Sequence, residues 1–152
     1  MKRSAALKLE VQRRVRAWAP PRAELTRWAA AALGARSAGK ELGVALVGAA
    51  ESRRLNARFR GRNQPTNVLS FAPGPAARGA RPLGELVICP KVLAVEARAQ
   101  EKTLRAHWAH LIVHGTLHLA GYDHERAADA RRMERREVAV LRRLGFANPY
   151  ES

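Results

Sequence analysis

Three histidines stand at intervals suited to one metal ion, in His114-Gly-Thr-Leu-His118-Leu-Ala-Gly121-Tyr-Asp-His124. On a helix, residues four apart lie on one face, so His114 and His118 can offer two imidazole nitrogens to the same ion. Gly121 stops such a helix and lets the chain turn back, which gives His124 the reach of a third ligand. Three protein ligands leave a fourth tetrahedral position for water, the mark of a catalytic zinc site rather than a closed structural one. The reading is one Zn2+ ion on His114, His118 and His124, in a zinc-dependent hydrolase.

The pattern H-x3-H-x2-G-x2-H has the spacing of the metzincin proteases, whose general base is a Glu directly after the first His. Here that position is Gly115, which argues against peptide hydrolysis by that route. His107 and His110 fall within about 80° of the same helical face. Packing, hydrogen bonding to a ligand or plain exposure accounts for them better than ligation, since His124 completes the set. Asp123 has two readings, left open: it orients an imidazole or exchanges protons, or it caps the final helix.

These residues need elements to hold them. Leu7, Leu9 and Val11 alternate with polar residues and predict a half-buried strand. Pro20-Pro21 opens a helix with an apolar face of Leu25, Trp28, Ala29, Ala32 and Leu33, ended by Gly34. Leu42 to Val47 reads as a buried strand, and Glu51 to Phe59 as a short basic helix turning Leu55 and Phe59 inward. A turn-rich loop from Gly61 to Asn67 leads into a strand at Val68 to Phe71. The Pro/Gly/Arg stretch from Pro73 to Pro82 reads as a mobile loop, and Leu86 to Cys89 as another strand. Pro90 starts a helix to about Gln100, and Thr103 caps the histidine helix, which runs to about Ala120. Arg126 to Leu144 forms a last helix with Met133, Val140, Leu141 and Leu144 facing in. The sum is an α+β fold, a small sheet packed with helices, over one domain spanning residues 1–152.

Bulk composition agrees. The chain of 152 residues is 47% hydrophobic and carries 28 Lys and Arg against 13 Asp and Glu, a formal charge of +15. Such an excess favours polyanions, nucleic acid before all. Cys89 is the single cysteine, so no intrachain disulfide forms and a reducing cytosol is the expected home. The basic start at Met1 is followed by no apolar stretch of signal-peptide length, and no run suits a membrane span. A soluble, cytoplasmic protein without a membrane partner is expected.

The motifs together resemble the bacterial YbeY endoribonucleases. The resemblance rests on His114 to His124, on Leu55-Asn-Ala-Arg-Phe-Arg60-Gly, on Pro65-Thr-Asn-Val-Leu-Ser-Phe71, on Leu83-Gly-Glu-Leu-Val-Ile-Cys89 and on the closing Leu-Gly-Phe. It covers about residues 40 to 150. It implies a zincin-like fold and metal-dependent cleavage of single-stranded RNA, in small-subunit ribosomal RNA maturation and ribosome quality control, with ribosomal RNA and the ribosome or its small subunit as partners. It places the ligand histidines on His114, His118 and His124 and the family's functional arginine on Arg60. Family members often have Asp where Glu85 and Asn63 stand here; Glu85 keeps the charge, Asn63 does not.

Zinc on three neutral imidazoles keeps its charge and lowers the pKa of bound water to roughly 7. A phosphodiester transition state gains charge that a guanidinium meets in bidentate fashion, the role given to Arg60. His114 is counted with Arg60 as catalytic, and Asp123 as the candidate acid or base. Arg53, Arg54, Arg58 and Arg62 are candidates for tracking phosphates, with solvated charge the default for each. Trp28 and Trp108 read as core, and Cys89 as a buried strand residue. Two rivals stand beside the nuclease reading: a peptidase or small-molecule hydrolase of similar fold, and a ribosome-associated assembly factor with little turnover.

Overall fold

The computed structural model describes residues 6–73 and 82–151. The alternation at Leu7, Leu9 and Val11 becomes strand β1 (Lys8–Arg13), and the apolar run that follows Lys40 becomes β2 (Glu41–Leu46). Between them runs α1 (Arg22–Leu33), which buries Leu25, Trp28, Ala29, Ala32 and Leu33 as the spacing predicts. Gly34, at φ +61°, ends it by donating its N–H to the Ala30 carbonyl, a conformation that glycine adopts without a Cβ penalty.

After β2 come α2 (Ala49–Arg60), β3 (Val68–Phe71) and β4 (Pro82–Ile88). The sheet order is β1-β2-β4-β3. β1, β2 and β4 are parallel, and β3 runs antiparallel along the edge of β4. Successive residues of a strand face opposite sides, which splits the core. Leu42, Val44, Leu46, Leu86 and Ile88 join Trp28, Trp108 and Ile112 in the larger cluster. Ala45, Val47, Leu69 and Val87 meet Leu55 of α2 in a smaller cluster.

Three further helices complete the larger side: α3 (Pro90–Ala99), α4 (Leu104–Leu119) and α5 (Ala127–Arg143). The expected α+β architecture is the one observed, with the histidine motif on a central helix and the turn after it. Gly115 of α4 sits against the sheet; a Cβ there would lie 2.8 Å from Leu86 Cδ2.

Two local expectations need correction. β4 begins at Pro82 rather than Leu86. Pro82 and Gly84 read as loop residues by propensity, but parallel pairing of Glu41 with Pro82 and Leu42 with Gly84 carries the strand backwards through an irregularity in register. Gly84 is needed there, since a Cβ would meet the Phe71 carbonyl oxygen at 2.5 Å. Phe59, expected to face in, is 52% exposed, with Ser52 and Asn56 buried instead. The smaller cluster needs only Leu55 from α2; Phe59 packs edge-on against Phe71 at the margin. Most of the loop expected between Pro73 and Pro82 lies outside the described residues.

Candidate metal centre and cleft

α4 fixes the histidines. Thr103 caps it, its Oγ1 accepting the Ala106 N–H at 3.1 Å, which satisfies one of the donors left free at a helix start. Spacings of three and four residues put His107, His110, His114 and His118 along one stripe, while Trp108, Ile112, Gly115 and Thr116 are buried. Gly121 follows the helix at φ +107°. Asp123 Oδ1 then accepts the backbone N–H of His124 at 2.7 Å and of Glu125 at 3.2 Å. That turn returns His124 to the helix, its ring centroid 5.7 Å from His114 and 5.6 Å from His118.

The facing wall is polar and pinned. Ser52 Oγ donates to the Thr66 carbonyl at 3.0 Å and accepts the Thr66 N–H at 2.9 Å. Asn56 Nδ2 donates to the Gln64 carbonyl at 2.8 Å. The buried polar face of α2 thus holds the 61–67 loop, and Arg60 ends the helix just before Gly61. Arg60, Arg62 and edge strand β3 line a cleft of about 710 Å³ whose other side carries His107, His110, His114, His118 and His124.

Behind the histidines lies a carboxylate that the periodicity assigned to no role. Glu137 of α5 is 1% exposed. Its Oε1 accepts from His110 Nε2 at 2.9 Å and from the Tyr150 hydroxyl at 2.7 Å, and its Oε2 from His114 Nδ1 at 3.1 Å. Burial alone pushes the Glu137 pKa up, but the hydrogen bonds from His110 and His114, with that from Tyr150, hold it down at about 2. The ionised carboxylate only accepts, so both imidazoles donate to it. His114 thereby carries a proton on Nδ1, which leaves Nε2 as the ring nitrogen that can ligate a metal.

The charged form of His118 is disfavoured. Burial lowers its pKa, and His124, His114 and Arg60 lower it further. Its Nδ1 is buried with no hydrogen-bond partner among the described residues. Three imidazoles brought together beside a guanidinium suit a divalent ion of the zinc type. His110, His114 and Glu137 form a second candidate group, their ligand atoms within 4.8 Å of one another; it shares His114 with the three-histidine set.

The other sequence candidates are dispersed. Arg53, Arg54 and Arg58 border a separate depression with Asn63, and Arg53 Nε donates to Asn63 Oδ1 at 2.8 Å. Asp123 lies beside Arg36 and Asp129, outside the cleft, and its bonds to backbone make the turn. Glu85 pairs in register with Gly43 and Phe71. Trp28, Trp108 and Cys89 are buried, and Trp18 is exposed. Among the described residues no helix is long and apolar enough to cross a membrane.

A family model described as endoribonuclease YbeY matches residues 10–145. The chain belongs to the YbeY family. A protein of Bordetella pertussis named endoribonuclease YbeY is 52% identical over 95% of this chain and 96% of its own. Proteins of the same name from Alkalilimnicola ehrlichii and Halorhodospira halophila are 51% and 46% identical, over 95% of this chain and 92% and 97% of theirs. The solution structure of TM1509 from Thermotoga maritima shares the fold, at a TM-score of 0.56 and 22% identity over 96% of both chains. Within the YbeY family, then, this chain pairs its three-histidine turn with a buried Glu137 behind it.

Proposed function

We propose that this chain is a metal-dependent endoribonuclease that cleaves single-stranded RNA, with one Zn2+ ion held by His114, His118 and His124. The observation that carries the reading is the return of His124 onto the His114–His118 pair, in the cleft that Arg60 lines. The names of the YbeY relatives supply the reaction class.

The three-histidine set is favoured over His110, His114 and Glu137 by proton accounting. Ligation by the second set would compete with the bonds that His110 and His114 donate to Glu137. The first set uses the free Nε2 of His114 and leaves Glu137 as the acceptor behind a ligand, an arrangement common at metal-bound histidines.

When bound, zinc supplies a Lewis acid for a phosphoryl oxygen and lowers the pKa of a water to roughly 7. The protein's own groups do the rest. Glu137 fixes the tautomer and ring direction of His114. Arg60 presents a guanidinium to a phosphodiester, matching paired phosphate oxygens and the charge that grows as the bond breaks. Arg62 adds a cation along the same wall, and a backbone threading between β3 and α4 would meet both. Gly115 leaves no room for a protease-type base. Ribosomal RNA of the small subunit, met in the cytoplasm, is the proposed substrate; the +15 charge supports a polyanion.

The test is single-turnover cleavage of a labelled single-stranded RNA by wild type, His114→Ala and Arg60→Ala, with bound metal measured in each. Cleavage by wild type alone, with Arg60→Ala still loaded with metal, supports the reading. Equal cleavage by all three sinks it. Tight RNA binding without cleavage in the zinc-loaded wild type points to an assembly factor instead.

A further inference from the structure

We propose that Tyr150 is a positioning residue for the metal, acting through Glu137 on His114, so that docking of the C-terminal segment and metal binding are coupled. The inference rests on the reading of His114 as a ligand.

The segment after α5 folds back over the histidine helix. The Phe146 N–H donates to the Leu141 carbonyl at 2.8 Å, and its ring stands edge-on to Trp28 with centroids 5.7 Å apart. Asn148 Oδ1 then accepts the Tyr150 N–H at 2.8 Å. This turn aims the phenol inward although Tyr150 is 46% exposed overall. Hydrophobic burial therefore does little to hold it. What holds it is polar and edge-on: its hydroxyl donates to Glu137 Oε1 at 2.7 Å, and its ring meets His110 at a centroid distance of 5.3 Å.

Glu137 joins the two ends. One of its oxygens takes Tyr150 and His110, and the other takes His114. A carboxylate is planar, so fixing one oxygen fixes the direction from which the other receives His114 Nδ1–H. Loss of the phenol donor leaves Oε1 with His110 alone and frees the carboxylate to turn, and His114 turns with it. Groups behind metal-bound histidines typically alter metal affinity by about ten- to a hundredfold. Tyr150 acts one bond further out, so the lower end, about tenfold, is expected. Linkage makes the effect reciprocal: if a docked Tyr150 tightens the metal, the metal tightens Tyr150 by the same factor.

The experiment titrates Zn2+ against a chromophoric chelator in wild type, Tyr150→Phe and His118→Ala, and records the visible absorption of each with Co2+ in its place. Tyr150→Phe keeps the ring against His110 and removes only the donor. About tenfold weaker Zn2+ binding and an altered Co2+ band are expected in Tyr150→Phe. In parallel, amide exchange over residues 146–151 is followed with and without Zn2+ in wild type and His114→Ala. Zinc should slow that exchange in wild type and not in His114→Ala. Unchanged affinity and an unchanged band in Tyr150→Phe overturn the coupling, as does exchange insensitive to zinc. If His118→Ala binds Zn2+ as wild type does, the three-histidine reading fails, Glu137 no longer stands behind a ligand, and the coupling falls with it.

Discussion

Gly115 and Leu86 meet across the helix–sheet interface, so close that a methyl on Gly115 would sit 2.8 Å from one Leu86 methyl and 3.2 Å from the other. The position that holds the general base in proteases of the same spacing therefore points here into the core. Gly115→Ala should destabilise the fold by about 1–3 kcal/mol, the usual cost of an extra methyl in a filled core. The cost should be smaller in a Leu86→Ala background, where the obstructing methyls are gone. Urea unfolding of the two single variants and the double variant measures this coupling; equal costs in both backgrounds would show that the crowding is relieved elsewhere.

The ligand set makes its own prediction. His118→Ala and His124→Ala should each purify with far less zinc than wild type, whereas His110→Ala should keep a metal with reduced affinity. A strong chelator should abolish RNA cleavage, and added Zn2+ should restore it without refolding, because caps and packing already hold α4 in place. Loss of zinc from His110→Ala but not from His118→Ala would move the ion to the group of His110, His114 and Glu137.

What the sequence made legible was periodic or spaced. The apolar face of α1, the core tryptophans and the three-histidine turn all follow from repeats of residue type. Glu137 follows the same rule, yet periodicity alone gives it no role. It stands four residues after Met133 and four before Leu141, on the apolar stripe of α5, so a lone carboxylate on a buried helical face is the available signal. Its meaning depends on Tyr150, thirteen positions on, which no periodicity links to it. Ser52 and Asn56 mislead in the opposite sense. Polar residues normally mark a solvated face, but the 61–67 loop gives these two their hydrogen-bond partners, and Phe59 is left at the surface. The start of β4 is hidden because Gly84 signals a loop locally, whereas sheet pairing decides it globally.

Arg60 differs from its neighbours by where the helix ends. It lines the cleft, while Arg53, Arg54 and Arg58 border another depression. Arg60→Ala should slow single-turnover cleavage by about a hundred- to a thousandfold, the range seen when one donor to a transition-state oxyanion is removed. Arg60→Lys should recover only part of that rate, because an ammonium lacks the bidentate fork. Arg54→Ala and Arg58→Ala should leave the saturated rate intact and act, if at all, on binding, lowering the salt slope by about 0.7 for each phosphate no longer neutralised. Rates at saturating and subsaturating RNA across a salt series separate the two classes.

His107 gives a prediction in pH. It is buried at the far end of the histidine stripe, with Nε2 2.9 Å from Glu96 Oε1 and Nδ1 without a partner among the described residues. Burial lowers its pKa below 6.5, and the hydrogen bond to Glu96 only partly offsets this. The unfolded chain therefore takes up a proton on His107 before the folded chain does. By linkage, the state that binds more protons gains as pH falls. The stability owed to a neutral His107 is thus present above the unfolded pKa and is lost as pH drops through the lower, folded one. His118 titrates in the same sense in metal-free protein, so the informative quantity is a difference between variants. As pH falls from about 7 through the ordinary histidine range, metal-free wild type should lose stability more steeply than His107→Gln, whose amide can still donate to Glu96 but cannot charge. Parallel urea-unfolding curves across that range decide it, and identical pH slopes would mean that His107 gains its proton as easily folded as unfolded.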